Sequence, residues 1–502
     1  MTYPAARWTL ELVRSLSETY CYVTERSILV SVFTLPAPLT ATVAGAAHPT
    51  RATFDVVNPA TGEIFAAAPD ASVADVDAAA RVAHDAFPSW RSDPAARRVA
   101  LHAAADALDA ARDEIVPILT AEQGKTLAQS AREVGVAAAY LRYYADMELE
   151  RQLLRDDADA VVQIVHRPLG PAAIIAPWNF PLIIAVAKIA PALSAGNTVV
   201  LKPSPYTPLS SLKVGEVLRG VLPPGVFNVL SGGNEAGAAL TAHPLIRKIS
   251  FTGSTATGKA IAAAAAADLK RTTLELGGND AAIILDDADP AVVATGIFAR
   301  AFHNTGQVCV APKRVYVPEK LRAAVVEAFA GLARDARIGD GTDPATQYGP
   351  LNNRSQRDRV AELVSDAVSQ GATLAAGGSV IEGSGFFYQP TILTDISDGV
   401  RIVDEEQFGP ALPVIGYRDV EDALARANAT HFGLGGSVWG TDPERAAAVV
   451  ERVEAGMTWV NTHSATTFDQ PFAGIKWSGI GIENGRWALE GFTEMQVIHQ
   501  AR

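Results

Sequence analysis

Between residues 171 and 276, five short apolar runs, AAIIAP, NTVVLKP, VFNVL, KISF and TTLEL, are spaced by segments of helical length at 182–195, 208–221, 235–242 and 256–267. This alternation constrains the fold more than any other feature of the chain. Runs this predominantly apolar, with no strict alternation, have no polar side to turn to water. They predict strands of a parallel sheet buried on both faces, with helices above and below. Such a sheet takes its ligands beyond the carboxyl ends of its strands. A second alternation starts at DAAIILDDADP and continues through RVYVP, ATLAAGG, PALPVIGY, GGSVWG and GMTWVNT, with helices around 321–334, 357–370 and 419–428. It predicts another α/β unit.

Ahead of both, 73–111 reads as alanine-rich amphipathic helices following a turn-rich stretch, NPATGEIFAAAPDAS. DAVVQIVHRPLG and the carboxyl-terminal EMQVIHQAR read as extended chain remote from both cores. In a monomer such strands are unpaired edges, so pairing across a subunit interface is expected. A length of 502 residues suits two to four domains, and a net charge of −13 lacks the clustered cations that a nucleic-acid surface needs. Two cysteines, Cys21 and Cys309, make no disulfide framework, which points to a reducing compartment, the cytoplasm. The uncharged run at 28–46 follows a start carrying Glu11, Glu18 and Glu25 and is interrupted by prolines, so it reads as a loosely ordered amino-terminal extension rather than a signal peptide. The apolar stretch 180–193 is too short to span a bilayer and is broken by Lys188 and Pro191, and no membrane segment is predicted.

GSTATGKA at 253–260 fits most of a P-loop, but Ala260 stands where a magnesium-binding Ser or Thr is required, which argues against an ATPase. The segment follows a strand and opens a helix, so its amides suit a phosphate without a metal. Neither a zinc motif nor G-x-S-x-G is present, and no metal site is expected. Cys309, in NTGQVCVAP, has two readings: a small buried hydrophobe, or a thiol presented by the turn that Gly306 permits, poised to attack a carbonyl with its own amide near the oxyanion. Glu275, in TLELGGND, is a salt-bridged strand carboxylate or a desolvated general base. Asn179, between Pro177 and Pro181 in APWNFPL, is a turn former with its amide pointing outward, or a rigid oxyanion donor.

Taken together and in this order, PWNFP, LKPS, FTGST, LELGG, GQVC, EEQFGP and PFAGIKWSGIG resemble the NAD(P)-dependent aldehyde dehydrogenase superfamily, over about 54–498. The resemblance implies a Rossmann-like parallel-sheet cofactor domain at 51–148 and 169–276, an α/β catalytic domain at 277–473, and a small β oligomerisation element at 149–168 and 487–502, with 1–50 left as the extension. It implies a homodimer or homotetramer acting on a small aldehyde, with NAD favoured and NADP open. Cys309 matches the nucleophile, Glu275 the base that activates the deacylating water, Asn179 the oxyanion donor, and Lys188 with Glu483 a proton relay behind the base. Among cofactor contacts, Lys202 matches the ligand of the adenosine ribose, with Ser204 and Pro205 beside it. Gly253 and Ser254 match the pyrophosphate turn, Glu406 the ligand of the nicotinamide ribose, and Trp178, Gly277 and Phe408 its surroundings. Pro205 stands where many NAD-preferring members carry Glu, so it neither binds the ribose hydroxyls nor repels a 2′-phosphate. Asn279, Ala473 and Ile482 also depart from the usual Lys, Gly and Arg.

The same resemblance places Phe180, Ile184, Ala187, Val308, Val310, Thr466 and Phe472 around the substrate. Their apolar character and the small Ala187 imply a roomy pocket for a hydrophobic or aromatic aldehyde. The alternatives are a semialdehyde-specific enzyme, a coenzyme A-acylating enzyme, whose relatives generally lack the glutamate base, and a catalytically silent protein on the same fold.

Overall fold

The computed structural model describes residues 34–35 and 37–502; Cys21 and the reading of 1–33 as a loose extension lie outside the described residues. The five apolar runs form parallel strands, Ala172–Ile175, Val199–Lys202, Phe227–Val229, Lys248–Thr252 and Arg271–Glu275. Across the sheet the third, second, first, fourth and fifth stand side by side. The order therefore reverses between Ala172–Ile175 and Lys248–Thr252, and the crevice beyond their carboxyl ends is the place where such a sheet holds a ligand.

Side chains alternate between the two faces of each strand. Ala172, Ile174, Val199 and Leu201 join a core with Leu182, Ala185, Ile189 and Leu212, while Ala173, Val200, Ile249 and Phe251 join another with Val76, Ala80, Leu240 and Ile261. Gly479–Ile480 extends one edge antiparallel to Arg271–Glu275, and Ala41–Val43 with Ala46–His48 extends the other, which makes eight strands. The extension expected over 1–50 is thus shorter: Ala41 and Val43 are buried sheet residues. The stretch read as turn-rich is mostly a hairpin, Ala52–Asn58 paired with Glu63–Asp70, turning at Gly62 where φ is 71°.

The second sheet has seven strands, in the order Thr373–Ala376, Thr391–Thr394, Ala411–Tyr417, Pro312–Pro318, Asp280–Ile284, Gly435–Trp439 and Met457–Val460. The sequence reading omitted Thr391–Thr394, whose four residues are too few to show a period. It also omitted the helices Pro290–Ala301 and Pro443–Val450, although each opens on an Asp N-cap followed by Pro.

The remote strands pair with one another within the chain. Ala160–Pro168 lies antiparallel to Thr493–Ala501 in continuous register from Pro168↔Thr493 to Ala160↔Ala501, with Gln152–Asp156 on its other side. The strand begins at Thr493, because Gly485–Glu490 is helical. No helix among the described residues is long and apolar enough to cross a membrane.

Candidate active site

Cys309 follows an unusual turn. Asn304, Thr305 and Gly306 are all left-handed, with φ of 48°, 57° and 75°. Non-glycine residues pay for that conformation with local strain, and it persists only where the surroundings hold it. Here they do. Thr305 Oγ1 donates to the Gly349 carbonyl at 2.9 Å, Gln307 Oε1 accepts from the Asn352 amide at 2.8 Å, and a Cβ on Gly306 would come within 2.3 Å of the Gly409 carbonyl. The thiol is partly exposed at the end of this turn, and burial among protein atoms pushes its pKa up to about 12.

Asn179 is buried, and its amide points inward rather than outward: Nδ2 donates to the Gln307 carbonyl at 2.9 Å, tying it to the cysteine turn two residues before the sulfur. The carbonyl of Asn179 accepts from Asn304 Nδ2 and from Lys125 Nζ, each at 2.9 Å. Lys125 is itself paired with Glu133, and Glu133 Oε1 accepts from the Leu182 and Ile183 amides at the start of the helix Pro181–Ser194. The asparagine is thereby held from the cysteine turn and from Lys125.

Glu275 ends the strand Arg271–Glu275, is 3% exposed, and has neither carboxylate oxygen hydrogen-bonded. Burial raises its pKa to about 8, against a weaker opposing pull from Lys188. Lys188, buried on the helix Pro181–Ser194, is lowered to about 7 by burial and is paired with Glu483. Gly479–Ile480 brings the Glu483 segment to this point by pairing beside Leu274 and Glu275, and the Phe472↔Glu483 bridge holds its far side. A buried carboxyl without partners is costly unless it has work to do with a ligand or water.

The crevice beyond the strands has the features of a dinucleotide cradle. Lys202 is buried, its Nζ donating only to the Pro203 carbonyl at 3.2 Å, and burial lowers it to about 8. Ser204 is buried beside the exposed Pro205. Thr252 Oγ1 is buried without a partner, just before Gly253 and Ser254, and Ser254 caps the helix Thr255–Ala266 through the Thr257 amide. Opposite, Glu406 Oε1 accepts from the Gly278 amide at 3.1 Å, and a Cβ on Gly277 would lie 2.3 Å from Glu406 Oε2. Trp178 meets Phe408 edge to face at 5.3 Å. An ammonium short of acceptors, an orphan hydroxyl and a helix N-terminus suit a phosphorylated ligand. Lys259 of the P-loop-like segment lies 3.4 Å over the Trp477 ring instead of at the helix start.

Residues 46–498 match the model of the aldehyde dehydrogenase family. The 3-sulfolactaldehyde dehydrogenase of Pseudomonas putida is 37% identical over 453 residues, 89% of this chain and 93% of that protein. The phenylacetaldehyde dehydrogenase of Pseudomonas fluorescens is 39% identical over 465 residues, 89% and 92%. Among solved structures, an aldehyde dehydrogenase from Bacillus cereus in complex with NAD+ superposes with a TM-score of 0.91 at 35% identity, covering 93% of this chain and 97% of that one. An NADP-dependent enzyme from E. coli superposes with a TM-score of 0.90 at 34% identity, covering 93% and 98%. The chain belongs to the aldehyde dehydrogenase family.

This aldehyde dehydrogenase is an oxidoreductase acting on aldehydes, with NAD or NADP as cofactor. Of the pocket residues expected from sequence, Val308 and Val310 form a cluster with Ala311, Leu434 and Met457, against which Phe180, Cys309, Trp459 and Phe472 pack. Ile184 lies outside that cluster, Ala187 is built into the larger core under the first sheet, and Thr466 is exposed. Sequence reasoning missed Lys125, Glu133, Lys313, Trp459 and the buried pair His463–Asp280, whose Nε2–Oδ2 distance is 3.3 Å. A lysine two residues before a helical start, as Lys125 is, carries no local mark of burial. The departure at Asn279 has a structural account: its Nδ2 donates to the Val403 carbonyl at 2.7 Å, bracing the segment that leads to Glu406. Nothing in the structure explains Ala473 or Ile482.

Proposed function

We propose that the chain oxidises a hydrophobic or aromatic aldehyde to the carboxylic acid through a covalent adduct on Cys309. The unpartnered, buried carboxyl of Glu275 beside Cys309 carries this reading, since it leaves a base free for water at the one place where a thioester would need it. The Cys309 sulfur, as thiolate, adds to the aldehyde carbon. The second Nδ2 hydrogen of Asn179 and the Cys309 main-chain N–H stabilise the oxyanion. The dinucleotide, held by Lys202, Ser204, Gly253, Ser254 and Glu406 with Trp178, Gly277 and Phe408 around it, supplies when bound the hydride acceptor that turns the adduct into a thioester. Glu275 then takes a proton from the water that opens the thioester, and Lys188 with Glu483 passes that proton outward. Retention of Glu275 favours water over coenzyme A as the acyl acceptor and argues against a silent protein.

The apolar cluster around Cys309 supports the substrate class, as does the likeness to a phenylacetaldehyde dehydrogenase; the likeness to a sulfolactaldehyde enzyme makes an anionic aldehyde the required control. Pro205 leaves NADP acceptable while NAD is favoured. In this reading residues 51–148 and 169–276 form the cofactor domain and 277–473 the catalytic domain, 149–168 and 487–502 assemble a cytoplasmic homodimer or homotetramer, and no nucleic acid is bound. Cys309→Ala is predicted to abolish turnover, and substantial remaining dehydrogenase activity would sink the assignment. A panel of aldehydes assayed with both cofactors should favour phenylacetaldehyde or benzaldehyde over succinic semialdehyde in kcat/KM; the reverse order removes the substrate class but leaves the mechanism.

A further inference from the structure

Lys313 has no part in the scheme above, yet it lies against the main chain of the nucleophile. It sits near the start of the strand Pro312–Pro318 with its side chain 3% exposed. Its Nζ donates to the Val308 carbonyl at 2.9 Å and to the Cys309 carbonyl at 2.5 Å, and lies 3.3 Å from Glu406 Oε1. Three acceptors use the three hydrogens of an ammonium. The Lys313 carbonyl in turn accepts from Gln407 Nε2 at 3.1 Å, so the residue next to Glu406 holds the lysine backbone as well. Gln356 Nε2 fastens the same segment through the Gln407 and Phe408 carbonyls, at 2.9 and 3.0 Å.

We propose that Lys313 is a positioning residue that fastens the Cys309 carbonyl to the Glu406 carboxylate, so that one buried ammonium sets the reacting sulfur and the cofactor-binding carboxylate in a fixed relation. This rests on the reading of Cys309 as nucleophile and Glu406 as cofactor ligand. Two consequences follow from the geometry. The tether orients Glu406, which otherwise keeps only the Gly278 amide. The charge also acts on the sulfur. Among the charged groups facing Cys309, Glu406, Glu275 and Asp280 raise its pKa and Lys313 lowers it, while Lys188 also interacts with it and is paired with Glu483, and His463 is occupied with Asp280. Lys313 therefore opposes three carboxylates that disfavour the thiolate.

A lysine that merely stapled the turn would leave the chemistry of the sulfur unmoved when its charge is removed and the fold is kept. The test follows alkylation of Cys309 by iodoacetamide, a neutral reagent, in the full-length cofactor-free protein, read at that residue by mass spectrometry across pH, with cofactor KM measured separately. Lys313→Met is expected to displace the rate–pH profile upward by about one pH unit, seen as about tenfold slower labelling at pH 8. It should raise cofactor KM several-fold with a smaller change in kcat, and Lys313→Arg should restore much of both. Glu406→Gln, which removes a carboxylate and keeps the lysine, should move the profile the other way. A Lys313→Met profile that coincides with wild type overturns the proposal. If that variant does not fold, a Glu406→Gln profile that is unchanged or moved upward overturns it instead. Failure of the underlying reading looks different: Cys309→Ala would then keep its activity, whatever the Lys313 variants do.

Discussion

Glu275 holds the sharpest local conflict in the molecule, a buried carboxyl with no hydrogen bond to either oxygen and a pKa raised to about 8. The residue was legible as an acid between Leu274 and Leu276, since that placement demands a partner or a task. Its lack of a partner was not, because that depends on what the rest of the fold fails to bring. Glu275→Gln is predicted to slow turnover by a hundredfold or more, on the order of a lost general base, and to leave a burst of product in the first turnover as the thioester accumulates. The same group makes a stability prediction. Its pKa rises on folding from the ordinary 4.5 to about 8, so its neutral form favours the folded state. The stability it lends is full below about 4.5 and is lost as pH rises through about 8. The thermal midpoint of Glu275→Gln, measured by differential scanning fluorimetry, should therefore gain on wild type between about pH 5 and pH 8 and level off above that; parallel curves within that window would contradict the raised pKa.

Two helices beneath the site begin without a local cap. Phe180 and Pro208 precede Pro181–Ser194 and Leu209–Val217, and neither side chain accepts a hydrogen bond from the first turn. The acceptors come from elsewhere. Glu133, 49 residues earlier, takes the Leu182 amide at 2.9 Å, and Glu122, 87 residues before Leu209, takes the Leu209 and Ser210 amides at 2.6 and 2.9 Å. The apolar period that announces these helices is local, whereas the carboxylates that complete them are tertiary, which is why the helices were readable and their caps were not. Glu133→Ala would leave the Lys125 ammonium buried without a counter-charge, at a cost of about 3–5 kcal/mol. Urea unfolding should show that loss, and kcat should fall with it because Lys125 also holds the Asn179 carbonyl. A change within experimental error in both would remove the pair from the account of the site.

At the scale of the whole molecule, the three-stranded ribbon leaves Met495 and Val497, two residues apart and so on one face of their strand, 72% and 62% exposed. An apolar face of that kind on a sheet with open edges is predicted to serve as an assembly surface. Light scattering is expected to give a dimer or tetramer, and Met495→Glu combined with Val497→Glu should shift it to a smaller species; a monomeric wild type would contradict this. Sequence alone determined the two α/β units, because predominantly apolar runs at helix-length spacing admit few other folds. It also picked out NTGQVC, LELGG and PWNFP as segments with unusual chemistry. Tertiary structure decided everything that depends on distant parts of the chain meeting. It put Gly479–Ile480 beside Arg271–Glu275, so that Glu483 reaches Lys188. It turned the Asn179 amide inward to Gln307, paired the ribbon strands within one chain, and placed Lys313 between Cys309 and Glu406. The physical reason is the same in each case. Backbone pattern is written in periods of two or 3.6 residues and can be read locally, whereas the field and hydrogen bonds at a buried group are set by whichever residues the fold carries to it.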